Sequence, residues 1–126
     1  MSVLKEDLIQ LAHKLTDGLD EVSWRAGVSR AYYAAYHGCL TWHAALPAPG
    51  SYAGRDGGNH QQLINQLKNS APECSDAQKQ ISRVLSIQLG ALKARRHIAD
   101  YQLTGVFDKA TALSNCAQAA DIINRL

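Results

Sequence analysis

One segment of the chain carries an arginine, a tyrosine and a histidine at spacings that place them on one side of a helix. Arg30, Tyr33 and His37 stand in the run SRAYYAAYH at positions 29–37, and Tyr36 flanks them. An α-helix advances about 100° per residue, so positions 30 and 37 return to within about 20° of each other. A guanidinium binds phosphate in a bidentate manner, and an imidazole can act as a base or an acid near neutral pH.

These two functional groups meet the minimum needs of RNA cleavage without a metal ion. RNA supplies its own nucleophile, the 2′-hydroxyl, so the protein must supply a base and a group that binds the phosphate charge. An arginine and a histidine at this spacing also occur by chance on solvated helix faces and on helix faces that pack in dimers. The spacing alone therefore leaves a catalytic and a structural interpretation open.

The elements that must position this segment are all predicted to be helices. Leucines at spacings of three and four predict a first helix that ends at Gly18. Asp20 can cap a second helix that reaches about Leu46, where Pro47 and Pro49 stop it. The apolar row of this second helix, on the side away from Arg30, consists of Val28, Ala31, Tyr32, Ala35, Cys39 and Trp42.

The second half of the chain continues the helical pattern. Residues 47–59, which hold two prolines and four glycines, predict a loop, and a short helix should follow from His60 to about Asn69. Ser75 can cap a fourth helix that extends to about Tyr101, and the last helix should begin near Asp108. We therefore expect a single all-α domain over residues 1–126, an antiparallel up-and-down helical bundle of four main helices and one short helix.

The fourth predicted helix carries two apolar stripes. One consists of Ile81, Leu85, Leu89, Leu92 and Ala99, and the other of Val84, Ile87, Ala91, Ala94 and Ile98. A helix with two stripes is buried on more than one side, which predicts that this helix is the central one.

The composition narrows the class of protein. A net charge of +2 gives no indication of non-specific nucleic-acid binding through bulk charge. The three cysteines, Cys39, Cys74 and Cys116, are odd in number and widely spaced, which predicts reduced thiols in a cytoplasmic protein. No apolar run approaches the ~18 residues of a membrane span, so no membrane partner is expected. No cofactor or metal ion is expected either, because Cys39 and His43 have no second Cys/His pair at a fitting spacing.

Three features together resemble HEPN proteins. Residues 29–37 resemble the signature helix of that family, which is marked by an arginine, four to six residues and a histidine. The run RHIADY at positions 96–101 resembles the R-x-x-A-D-Y ending of a later long helix in the family, and His60 resembles a histidine often found in the short helix between them. The resemblance implies a HEPN-like bundle that forms a homodimer, in which the two Arg/His helices face each other and line a shared cleft.

The resemblance also implies a function. Many HEPN proteins are metal-independent endoribonucleases that act as toxins or defence effectors, often with a nucleotidyltransferase antitoxin as partner. Arg30 would then orient the scissile phosphate of an RNA substrate, and His37 would carry out acid–base chemistry in a cleft that Tyr33 lines. The residues expected to bind RNA or to support the cleft are Tyr36, His60, Arg96, Asp100 and Tyr101. Arg96 and Asp100 are spaced to form an ion pair, and Asp100 and Tyr101 could fix the end of their helix against the second helix.

The sequence leaves two alternatives to catalysis. Ala31 follows Arg30, where active HEPN members commonly carry a polar residue. A non-catalytic HEPN module that binds a nucleotide, RNA or a nucleotidyltransferase would fit this departure. The second alternative is a helical oligomer with a structural role only.

Overall fold

Five α-helices make up the fold in the computed structural model, which describes residues 3–52 and 58–126. They are α1 (Lys5–Thr16), α2 (Glu21–Ala44), α3 (Asn59–Lys68), α4 (Asp76–Tyr101) and α5 (Lys109–Arg125). The described residues contain no β-strand, so the predicted all-α class is confirmed. No helix among them is long and apolar enough to cross a membrane.

The predicted helix starts follow from local capping. The side chains of Asp20, Ser75 and Asp108 each accept a hydrogen bond from the backbone N–H three residues later, at the first turn of α2, α4 and α5. The predicted bounds of α4 are confirmed, whereas α3 begins one residue earlier than predicted, at Asn59. Residues 53–57 of the predicted loop lie outside the described residues.

The four main helices, α1, α2, α4 and α5, alternate in direction along the chain. Thr16, the last residue of α1, lies beside Gly27 in the first half of α2, whereas Lys5, the first residue of α1, lies beside Gly38. In the same way, Arg25 near the start of α2 donates hydrogen bonds to carbonyl oxygens at the end of α4. The predicted antiparallel up-and-down bundle is therefore confirmed.

The central helix is α2, which packs against each of the other four helices. Its many alanines and glycines allow close approach from several sides, and residues of its predicted apolar row lie in the core. The prediction that α4 is central is wrong, because its second stripe faces outward: Ile87 is 68% exposed and Ile98 is 38% exposed. With α2 at the centre, the described helices leave this side of α4 without a covering element.

Candidate functional site

The predicted Arg/His pair occupies the solvent-exposed side of α2. Arg30 and His37 are both exposed, and Tyr33 between them is half-buried. A rise of 1.5 Å per residue separates Arg30 from His37 by about 10.5 Å along the helix axis, so a phosphate group between them would lie above Tyr33. Within residues 3–52 and 58–126, the Arg30 side chain makes no hydrogen bond or ion pair, which leaves its guanidinium free to bind an anion.

A cleft lies next to His37, between α2 and the start of α1. His37 and Thr41 line one side of this cleft, which has a volume of about 640 Å³. Val3 and Leu4, which directly precede α1, line the other side of the cleft and are 73% and 58% exposed. His37 therefore stands at the edge of a cleft whose lining is apolar at Val3 and Leu4 and charged at the ion pair of Lys5 and Glu6.

Helix α3 brings a second imidazole against the tyrosines of α2. Nδ1 of His60 lies 2.6 Å from the Tyr32 hydroxyl oxygen, and the His60 ring stacks on Tyr36 with the ring centroids 4.1 Å apart. The His37 ring approaches the same Tyr36 ring edge-on, at 5.3 Å between centroids. We call these side chains, with Arg96 of α4, the His60 cluster: Tyr32, Tyr33, Tyr36, His37, His60 and Arg96.

Arg96 joins α4 to the cluster. Its Cζ lies 5.3 Å from the centroid of Tyr32 and 5.6 Å from that of Tyr33, within the range of a cation–π interaction. Its Nη1 lies 3.4 Å from Oδ2 of Asp100, so the predicted ion pair is confirmed. Ser29 of α2 donates a hydrogen bond to the same oxygen at 3.3 Å. Asp100 thus orients Arg96 and ties the end of α4 to α2.

The surroundings of His60 favour its neutral form. Burial lowers the pKa of His60, and the positive charges of Arg96 and Lys93 lower it further, with a smaller effect from His37. Burial also raises the pKa of Tyr32, so the phenol keeps its proton and can donate it to Nδ1 of His60. In that pairing the imidazole proton of His60 stands on Nε2.

The structure brings most of the predicted site residues together. Tyr33, Tyr36, His37, His60 and Arg96 belong to the His60 cluster, and Asp100 is bonded to it. Two expectations are wrong. Tyr36 does not flank an exposed face but is only 8% exposed, because His60 covers its ring. Tyr101 does not fix the end of α4 against α2; it is 65% exposed and packs against His97 at 5.0 Å.

Sequence reasoning missed two members of this site. Tyr32 was placed in the apolar core row, and its ring is buried, but its hydroxyl bonds to His60. The spacing of Tyr32 and Tyr36, four residues apart, was a signal that both rings share one side of α2. Ser29 was also missed, and its hydrogen bond to Asp100 spans 71 positions, for which the sequence contains no local signal.

No metal site is assigned to the described residues. Cys39 is fully buried, and burial raises its pKa to about 12. His43 uses Nε2 to accept a hydrogen bond from the backbone N–H of Gly50 at 3.1 Å. Among residues 3–52 and 58–126, no group of three or more His, Cys, Asp or Glu side chains is placed to hold a metal ion.

Comparisons with known proteins identify no relative of this chain. No protein-family model, no curated protein and no solved structure matches it. The HEPN resemblance therefore rests on the motifs at 29–37 and 96–101 and on His60.

Proposed function

We propose that this protein is a metal-independent endoribonuclease of the HEPN type that acts as a toxin or defence effector. The observation that carries the proposal is the exposure of Arg30 and His37 on one face of α2, with the Arg30 side chain unpaired among the described residues. In a homodimer whose α2 helices face each other, two such pairs would line one cleft.

The proposed reaction needs only these groups and the RNA itself. His37 removes the proton of a 2′-hydroxyl, and the 2′-oxygen attacks the adjacent phosphorus. The bond from phosphorus to the 5′-oxygen breaks, that oxygen takes up a proton from water, and the proton held by His37 passes to water. The products are a 2′,3′-cyclic phosphate and a 5′-hydroxyl end. Arg30 binds the non-bridging oxygens, whose negative charge grows in the transition state.

The His60 cluster supports the same proposal. The Tyr36 ring contacts His37 and His60, and the Tyr33 ring lies 6.3 Å from His37, so tyrosines limit the positions that the His37 imidazole can adopt. Arg96, oriented by its pairing with Asp100, packs its guanidinium against the Tyr33 ring and helps to hold that ring in place. A site held by packed aromatic rings loses little entropy when a substrate binds.

A non-catalytic module is the alternative that one observation favours. The residue after Arg30 is Ala31, a fully buried residue without a polar side chain, so this position offers no polar group to a substrate. The same exposed face of α2 would then bind RNA, a nucleotide or a nucleotidyltransferase partner without cleaving RNA.

Incubation of the purified protein with total RNA in EDTA tests the proposal. The parent should cleave RNA and leave 2′,3′-cyclic phosphate ends, and Arg30→Ala and His37→Ala should each reduce the rate by about 100-fold or more. Arg95→Ala and His97→Ala are matched controls, because they change exposed residues of the same types on α4 and should cleave like the parent. Cleavage that survives in His37→Ala would remove the residue assignment, and no cleavage by the parent would favour the binding module.

A further inference from the structure

An apolar stripe of α4 has no partner within the described residues. Its members alternate at spacings of three and four, the pattern of a helix that packs against another helix. They are Val84, Ile87, Ala91, Ala94, Ile98 and Tyr101. Ile87 and Tyr101 are 68% and 65% exposed, and four consecutive turns of the stripe are open on the outer side of the helix. An isolated exposed isoleucine is ordinary, but a continuous stripe of this kind marks an interaction surface.

Three members of the stripe, Ile87, Ala94 and Ile98, line a groove between α3 and α4. Two adjoining sections of this groove, of about 540 and 430 Å³, share Gln61 and Ile64 of α3. Ile98 lines the first section and Ile87 the second. Gly90 lies between them, and a Cβ atom added there would meet nothing within 4 Å. Because residue 90 has no side chain, the groove stays open between its two sections.

The rim of the groove carries positive charge only. Lys93 and Arg96, the latter paired with Asp100, line the first section, and Lys68 and Arg83 line the second. Lys93 is held in place by a 2.9 Å hydrogen bond from its Nζ to Gln61. No carboxylate lines either section in the described part of the chain. A second copy of this groove would bring like charges together, whereas acidic side chains on a different partner would pair with the cations of the groove.

We propose that the groove between α3 and α4 binds an amphipathic helix of a different protein, with acidic side chains beside its apolar seam. Positions 84–101 span about 25 Å, which matches a partner helix of about 18 residues. Ile64, Ile87, Ala94 and Ile98 form the apolar part of the groove, and no Tyr, Trp or Phe lines either section in the described part of the chain. This lining favours a helix over RNA, because single-stranded RNA binds by stacking its bases on aromatic rings. Arg96 lines the first section and also belongs to the His60 cluster, but no residue of α2 lines either section. A substitution at Ile87 therefore tests the groove without changing the proposed RNA site.

A displayed library of helical peptides about 18 residues long tests which flanking charge the protein selects. Variants of the protein then test where the selected peptides bind. Its seam positions carry Leu, Ile or Ala, and its flanking positions carry Glu or Lys at equal frequency. Selection on the folded, full-length parent should enrich Glu over Lys at the flanks by about tenfold. Binding of the selected peptides should weaken as salt rises.

Variants of the protein then locate the site. Ile87→Glu should weaken binding of the selected peptides by at least about tenfold, because it places a carboxylate in the apolar lining of the groove, where it repels the acidic side chains of the peptide. Leu113→Glu on α5 changes a leucine that is 42% exposed outside the groove and should bind like the parent. Circular dichroism of both variants should match that of the parent.

Four results would overturn the proposal. The first is enrichment of Lys, or of neither charge, at the flanking positions, and the second is binding of the selected peptides that Ile87→Glu leaves unchanged. The third is a dimer of the parent protein that Ile87→Glu dissociates, and the fourth is binding of RNA by the parent that Ile87→Glu abolishes. The third result would assign the groove to a second copy, and the fourth would assign it to RNA.

Discussion

Two histidines, His43 and His60, are held in their neutral forms by burial. Burial lowers the pKa of both groups, and each uses a ring nitrogen in a hydrogen bond, to the Gly50 N–H and to the Tyr32 hydroxyl respectively. The folded chain therefore binds fewer protons than the unfolded chain when the pH falls below about 6.5, the ordinary histidine value. The stability that these groups contribute is complete above that pH and is lost as the pH falls through the lowered values.

We expect the urea midpoint of unfolding to decrease when the pH is lowered from 7.5 to 5.5. The decrease should be smaller in His60→Gln. Glutamine does not titrate, and its amide can still bond to the Tyr32 hydroxyl. Circular dichroism at each pH measures the midpoint. His97→Gln is the control, because His97 is exposed, and its midpoint should follow the parent's. A midpoint of His60→Gln that depends on pH as strongly as the parent's would contradict the assignment.

At the scale of the helix, two glycines test how closely the elements pack. A Cβ atom at Gly27 of α2 would lie 2.6 Å from Cγ2 of Thr16 and 3.2 Å from the Ala12 carbonyl oxygen, so α1 would have to shift. A Cβ atom at Gly90 of α4 would meet nothing. Both positions are helical, where alanine is favoured over glycine by about 1 kcal/mol when space allows.

The two Gly→Ala substitutions should therefore change stability in opposite directions. Gly27→Ala should lower the free energy of unfolding by about 1–2 kcal/mol, because overpacking outweighs the gain in helix propensity. Gly90→Ala should raise it by about 0.5–1 kcal/mol. Urea denaturation monitored by circular dichroism gives both values. A stabilising Gly27→Ala would show that α1 and α2 are packed less closely than the structure has them.

The elements were more predictable than the site they form. The capping side chains of α2, α4 and α5 act on backbone groups three residues away, so the local sequence contains that signal. Which stripe of α4 would be buried depended on its neighbours, and the sequence could not show that α2 takes the centre. The pairing of His60 with Tyr32 likewise joins α3 to α2 over 28 positions, and only the packed chain reveals it.

At the scale of the whole molecule, the groove of α3 and α4 and the cleft near His37 differ in the charged residues that surround them. The groove of α3 and α4 is bordered by cations, whereas the cleft near His37 is lined by Val3 and Leu4, which are 73% and 58% exposed, and by the ion pair of Lys5 and Glu6. Leu40 of α2 is 42% exposed. Leu40 follows His37 by three positions on α2, so both residues belong to one side of that helix. This side of α2 is where the proposed homodimer would bury apolar area, next to the proposed cleft.

Leu40→Glu should therefore separate assembly from the catalytic residues. A carboxylate at this position would weaken a dimer that buries the α2 face by at least about tenfold, because a charge buried without a partner is costly. Sedimentation equilibrium should show a parent dimer and a Leu40→Glu monomer, and RNA cleavage should fall with the dimer fraction although Arg30 and His37 are intact. Leu113→Glu, at the same 42% exposure on α5, is the matched control and should leave both measurements unchanged. A parent that cleaves RNA at full rate as a monomer would show that one α2 helix suffices and that the cleft is not shared.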